Sequence, residues 1–318
     1  MVNARLDTRS PRVLGILSLG VVSFMLAPIL VRFADDAPGM AVAAWRNVLA
    51  VLMLTPIALP AIRENVRRLE RRDALLIVCA GVFLGLHFIL WIESLYHTTV
   101  ASASVLVTTS PIFLAVFGYL LLGERLSART LAGGGVAVAG AILIGAGDAG
   151  AVDLGEAAMW GNALALSASL LVSVYLLIGR VVRQKVSWLA YVFPLYTVSA
   201  VTTVGAAWVA GVPLFGYDMV FYGLCAAMAL GPQIAGHGAF NYGVQYLPAA
   251  IVGMLALLEP VGASILAYAL FSEVPPVPAV IGMLVVLGGV TLVVWSRRST
   301  KEPGRVRSDE TGPDSSSV

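Results

Sequence analysis

Ten stretches of about 20 mostly apolar residues, set apart by short polar or Gly/Pro-rich turns, constrain this chain more than any other feature. They lie near residues 12–32, 39–61, 74–95, 99–122, 129–147, 157–179, 187–210, 218–240, 247–271 and 277–296. Each is long enough for a helix to cross ~30 Å of hydrocarbon, where every backbone polar group must find its partner within the protein. Composition agrees, because only 12% of the 318 residues are charged, against roughly 25% in a soluble domain. The fold class is therefore an all-α polytopic membrane protein. The first stretch follows basic residues as a secretion signal would, but it is long and lacks an A-x-A site, so it reads as an uncleaved span. Residues 1–12 form a cytoplasmic N-terminus, and the polar, Ser-rich stretch 297–318 reads as a disordered cytoplasmic tail.

Charge placement sets the orientation. Short connections make neighbouring spans antiparallel, and ten spans then put all 20 Lys/Arg except Arg32 and Arg46 on one side. The opposite loops carry Asp35, Asp36, Asp148, Asp153 and Glu156 with almost no basic partner. Both termini are expected in the cytoplasm of a cell whose plasma membrane holds the chain, the inner membrane in a bacterium.

The segments TTSPIFLAVFGYLLLGE (108–124) and LLEPVGASILAYALFSE (257–273) align at an offset of 149 residues. Pro111 falls on Pro260, Tyr119 on Tyr268, Leu121 on Leu270 and Glu124 on Glu273, and further on Gly133 meets Gly282 and Gly140 meets Gly289. An offset of five spans turns each copy upside down. The chain therefore reads as two inverted five-helix repeats, 13–147 and 157–296, an arrangement whose substrate sites lie near the midplane between halves.

Two five-helix units, each with P-x12-E and a Gly-rich last helix, resemble the EamA-type transporters of the drug/metabolite transporter superfamily. The runs GLHFILWIESLYHTTVASASVLVTTSPIF (85–113) and GNALALSASLLVSVYLLIGR (161–180) are similar to that family's third-to-fourth and sixth helices. The resemblance covers residues 13 to 296. It implies a secondary-active transporter that exports small organic metabolites (amino acids, amines or related compounds) or drugs by alternating access, with a proton as candidate co-substrate.

Several polar residues interrupt the apolar runs. Glu259 stands halfway along span nine, where an ionised carboxylate costs about 2.5–3.5 kcal/mol, so it must face a cavity, find a partner or be protonated. It either binds substrate or proton, or stabilises a helix kinked by Pro260. Its repeat mate is Ser110, beside Pro111. Arg46 could hold a carboxylate or pair with Glu93 as a structural or gating bridge, the second being favoured. His87, Trp91 and Ser94 share one helix face, which could line a cavity or pack. Gln233, His237 and Asn241 form a second stripe, and Asn162, Ser169 and Ser173 a third. The substrate or proton candidates are thus Glu259, His87, Trp91, Ser110, Arg46, Asn162, Gln233 and His237. Glu93, Pro111, Pro260, Glu124 and Glu273 are structural or gating candidates, the last two complementing the positive end of the following helix. Gly133, Ala137, Ala141 and Gly145 recur every fourth residue as a seam for intramolecular packing or, less favoured, a dimer contact.

Cys79 and Cys225 sit inside apolar runs and suggest neither a disulfide nor a metal site. No G-x4-G-K-[ST] loop and no H-E-x-x-H or C-x-x-C motif is present. No cofactor, catalytic residue, metal or nucleic acid is expected, and the protein would work in the bilayer as a monomer or homodimer. The competing function is an intramembrane enzyme acting on a lipid or small molecule, which would want several convergent ionisable groups.

Overall fold

The computed structural model describes residues 11–65, 70–98, 100–149, 155–272 and 274–298. Among them, ten helices are long and apolar enough to cross a membrane: Pro11–Arg32, Gly39–Ala58, Arg71–His97, Ser102–Leu122, Ala128–Gly145, Glu156–Val182, Trp188–Val209, Met219–Gly243, Ala249–Phe271 and Val277–Ser296. We call these spans one to ten. No strand occurs among the described residues. Leu120, Leu121, Val201 and Trp208 are among the large apolar side chains turned outward, as a lipid-facing surface requires.

The repeat is carried by the backbone. Span four is built from helices Val100–Val107 and Ser110–Leu122, and span nine from Ala249–Ala256 and Glu259–Phe271. The last helices of the two halves are Ala128–Ala149 and Val277–Arg298. Every one of these boundaries recurs at the offset of 149. The breaks have a common cause. Pro111 and Pro260 lack an amide hydrogen and crowd the preceding turn, so the helix stops and restarts with proline in its first turn. In span four the loosened carbonyls are covered by side chains, Thr108 Oγ1 donating to Ser104 O at 2.7 Å and Thr109 Oγ1 to Leu106 O at 2.6 Å. Span nine has Leu257 and Leu258 there, with no hydroxyl to offer. Both second helices end on a left-handed residue: Gly123 at φ 65° and, at the equivalent place, Ser272 at φ 56°.

Packing obeys a pseudo-two-fold. Spans two and seven, four and nine, and five and ten pair across the halves; three packs on six as eight packs on one. Exchanging the halves returns each of these pairings. The seam between spans five and ten shows it at atomic scale. A Cβ on Gly133 would lie 2.9 Å from Gly289 O, and one on Gly282 2.6 Å from Gly140 O, each contact being the other's repeat mate. A Cβ on Gly289 would stand 2.4 Å from Ala137 N. The small-residue stripe of span five is therefore an intramolecular seam, with backbone packed on backbone.

At the end of the bundle where span one begins, polar side chains tie spans together. Arg180 Nε bonds Glu124 Oε1 at 2.7 Å, and its Nη1 donates to Val244 O and Gln245 O. Glu124 thus pairs with an arginine of the other half, where the sequence suggested only a helix dipole. The buried Arg183 donates to Asn241 O, Val186 O and Gln245 Oε1. Burial lowers its pKa to about 10, so it stays charged at neutral pH. Glu273, the mate of Glu124, lies outside the described residues.

Candidate functional site

Spans four and nine aim their breaks at the middle of the bundle. There a narrow cavity of about 60 Å³ is lined by spans one to four of the first half and six, eight and nine of the second. Its walls are mostly apolar: Phe24, Phe88, Val107, Val172, Leu176 and Phe240. Its polar members are Arg46, His87, Trp91, Thr108, Ser110, His237 and Glu259. Six of the eight substrate or proton candidates read from the sequence therefore line one cavity. The other two, Asn162 and Gln233, do not.

The helix break explains how Glu259 arrives there. It opens the second helix of span nine, at 7% exposure, and its Oε1 has no hydrogen-bond partner within the chain. Ser110 occupies the equivalent place in span four, where its carbonyl accepts from Ser173 Oγ at 3.1 Å. Ser169 shares a hydrogen bond of 3.1 Å with Thr109. The serines of span six thus brace the break in span four and do not line the cavity.

Arg46 departs from the favoured expectation. It makes no ion pair with Glu93; its Nε donates to Gln233 Oε1 at 3.2 Å and its guanidinium carbon lies 4.1 Å from the Phe88 ring centre. Glu93 instead reaches the first turn of span two, beside Gly39 and the backbone of Met40, where the helix dipole favours an acid. That is about two turns away from Arg46, too far to bridge. Arg46 Nη1 has no partner within the chain, and neither does Trp91 Nε1.

His87 Nδ1 lies 2.9 Å from Ala168 O. A carbonyl can only accept, so Nδ1 carries the hydrogen and Nε2 of a neutral ring is left as an acceptor. His237 Nδ1 shares a 2.8 Å bond with the Tyr175 hydroxyl, and the ring is packed edge-on by Phe24 and Phe88, 5.8 Å from the ring of His87. Ser94, on the same helix face as His87 and Trp91, bonds Trp91 O at 2.6 Å and stays outside.

Asn162 accepts from Thr98 Oγ1 at 2.9 Å and joins the C-terminal end of span three to the first turns of span six. Gln233 is buried behind Arg46. Phe24, Phe88 and Thr108 escaped notice because nothing in sequence distinguishes them from packing residues. Asn47, next to Arg46 and fully buried, could have been found as a second polar residue at that depth. No group of three or more His, Cys, Asp or Glu able to hold a metal occurs among the described residues.

Comparison with known proteins points the same way. The model of the EamA-like transporter family matches twice, over residues 12–146 and 159–295. A protein of Streptantibioticus cattleyicolor named "Probable terminal-alkyne amino-acid exporter" is 28% identical over 91% of this chain and 97% of its own. An uncharacterized transporter of Bacillus subtilis is 24% identical over 74% of this chain and 73% of its own. A solute carrier of family 35 from Mus musculus is 25% identical over 88% and 78%. One solved crystal structure, 16% identical, covers 91% of this chain and 99% of its own with a TM-score of 0.72, a likeness of fold.

Proposed function

This chain belongs to the EamA-like transporter family, and from that premise we propose that it exports an amphoteric organic solute, an amino acid with an apolar side chain, by alternating access through the central cavity. The observation that carries this reading is the convergence of Arg46 Nη1, Trp91 Nε1 and Glu259 Oε1, all buried and unpartnered, in residues that line one cavity. A buried polar group without a partner costs about 1–3 kcal/mol, so each favours a ligand that supplies one. Two donors suit a carboxylate, the acidic oxygen suits an ammonium, and the phenylalanines and aliphatic walls suit an apolar side chain. The exporter named in Streptantibioticus cattleyicolor fits the same chemistry.

At about 60 Å³ the cavity holds a few waters, each needing ~10–15 Å³. An amino acid therefore enters only as the halves separate on one side, which is the movement alternating access requires. Glu259 binds either the substrate ammonium or a proton, and in the second case the proton gradient drives export. The chain works in the plasma membrane, as monomer or homodimer, with both termini cytoplasmic. Reporter fusions should be extracellular at residue 150 and cytoplasmic at 68 and 300.

Purified full-length protein in liposomes tests the reading with radiolabelled L-norvaline, L-leucine and their decarboxylated amines. The expected result is saturable, vectorial movement of the amino acids, recovered chemically unchanged. Chemical conversion of the label would favour the enzyme instead, and equal transport of the amines would remove the carboxylate from recognition.

A further inference from the structure

Gln233 stands behind the cavity, and its hydrogen bonds admit a single polarity. Asn47 Nδ2 donates to Ala43 O at 2.8 Å, which turns Asn47 Oδ1 into the acceptor. That oxygen receives Ser199 Oγ and Gln233 Nε2, each at 2.8 Å. Gln233 must therefore present its amide nitrogen to Asn47, leaving Oε1 for Arg46 Nε, which can only donate. All four side chains are at most 1% exposed. They come from spans two, seven and eight, so three helices fix one amide.

The backbone makes this reach possible. Span eight is π-helical over Ala229–His237, with Pro232 inside. A π turn takes an extra residue, and the faces beyond it rotate relative to α register. Gln233 thereby points at span two, while its carbonyl accepts the Tyr196 hydroxyl at 2.7 Å. With Nε held and the guanidinium face on Phe88, the Arg46 plane is fixed and Nη1 is left as a buried donor without a partner.

We propose that Gln233 is a positioning residue: locked by Asn47 and Ser199, it orients Arg46 and thereby makes the site select solutes that bear a carboxylate. The proposal rests on the cavity being the substrate site, and the experiment separates the two. The full chain in nanodiscs is titrated with L-norvaline and with n-butylamine, which lacks the carboxylate. In parallel, the Nε–H signal of Arg46 is followed in protein labelled with ¹⁵N-arginine, identified by its loss in Arg46→Lys. In Gln233→Met, L-norvaline should bind about 10- to 100-fold more weakly, the range expected for losing a hydrogen bond to a charged group. Binding of n-butylamine should change less than about twofold, and the Nε–H signal should shift and exchange faster. Gln233→Glu, nearly the same size, keeps an acceptor for Nε but sets a carboxylate against Arg46 that competes with the substrate, so it should discriminate against L-norvaline at least as strongly. This variant carries the test if Gln233→Met does not fold. Equal weakening of both probes, or an unchanged Nε–H signal in Gln233→Met, overturns the proposal. Should the wild type bind n-butylamine but not L-norvaline, the amino-acid reading fails and selection of carboxylates by Gln233 fails with it. Should it bind neither, the site reading falls alone, and the Nε–H signal decides whether Gln233 orients Arg46.

Discussion

Spans four and five correspond to nine and ten residue for residue in their helix boundaries, whereas spans one and three are shaped differently from six and eight. Span one is broken at Leu26 and span six is continuous; span three is α-helical throughout and span eight contains a π segment. The same contrast appears in chemistry. Span five meets span ten by equivalent glycines, yet at the helix breaks Ser110 faces the cavity from one half and Glu259 from the other. The difference teaches what each region answers to. A seam whose two sides are mates of each other is satisfied by the same residues twice. The amino acid proposed as substrate carries its carboxylate, ammonium and side chain on one carbon and has no two-fold axis, so a cavity that orients it cannot keep one.

The largest effect should follow from attacking the seam. Gly289→Val and Gly140→Val force a Cβ to within 2.4 Å of Ala137 N and 2.6 Å of Val286 N. Because backbone cannot step aside, each should cost 3 kcal/mol or more, at or beyond the upper end of about 1–3 kcal/mol for overpacking, and sharply lower the yield of folded protein. Denaturation in mixed detergent should show equal losses to within about 0.5 kcal/mol, while Gly288→Ala, with nothing within 4 Å of its Cβ, should be harmless. Clearly unequal losses for the two valines would break the symmetry of the scaffold.

Next in size is the cavity. Glu259→Gln keeps the shape and removes the charge, so transport should fall about 10- to 100-fold, as for a lost hydrogen bond to a charged group. The residual flux should no longer respond to an imposed pH gradient. Moving the acid across, as Ser110→Glu with Glu259→Ser, should not restore transport. Recovery of flux in that double variant would show that the cavity is functionally two-fold after all.

The smallest effect belongs to the helix ends. Ser272 holds a left-handed conformation that costs roughly 1–2 kcal/mol for a residue with a Cβ, so Ser272→Gly should raise stability by about 1 kcal/mol. Gly123→Ser should lower it by a similar amount, because the two caps share one geometry. Opposite signs from the same denaturation assay sharpen the comparison, and like signs would undo it.

The fold was legible because its causes are local. Apolar run lengths marked ten spans, and the matched positions of Pro111 and Pro260 marked the repeat, with a kink expected at Pro260 alone. Glu259, His87 and Trp91 stood out because a polar group at that depth needs a reason. Arg46 was visible as a residue but not in its bonding: its partner lies 187 positions away, on a helix whose face is turned by a π segment. No periodicity of 3.6 residues announces such a segment, so Gln233 looked like a member of the His237 stripe. Arg180 was counted as a topology marker, and its pairing with Glu124 depends on which helix ends meet.

The glycine seam has a further consequence. Where contact Gly133–Gly289 is answered by Gly282–Gly140, the surface has the self-complementarity of an isologous homodimer interface. Spans five and ten behave as two subunits in opposite insertion that happen to share a chain, so the peptide connecting the halves is not what aligns them along this seam. Complementarity of the two surfaces does that.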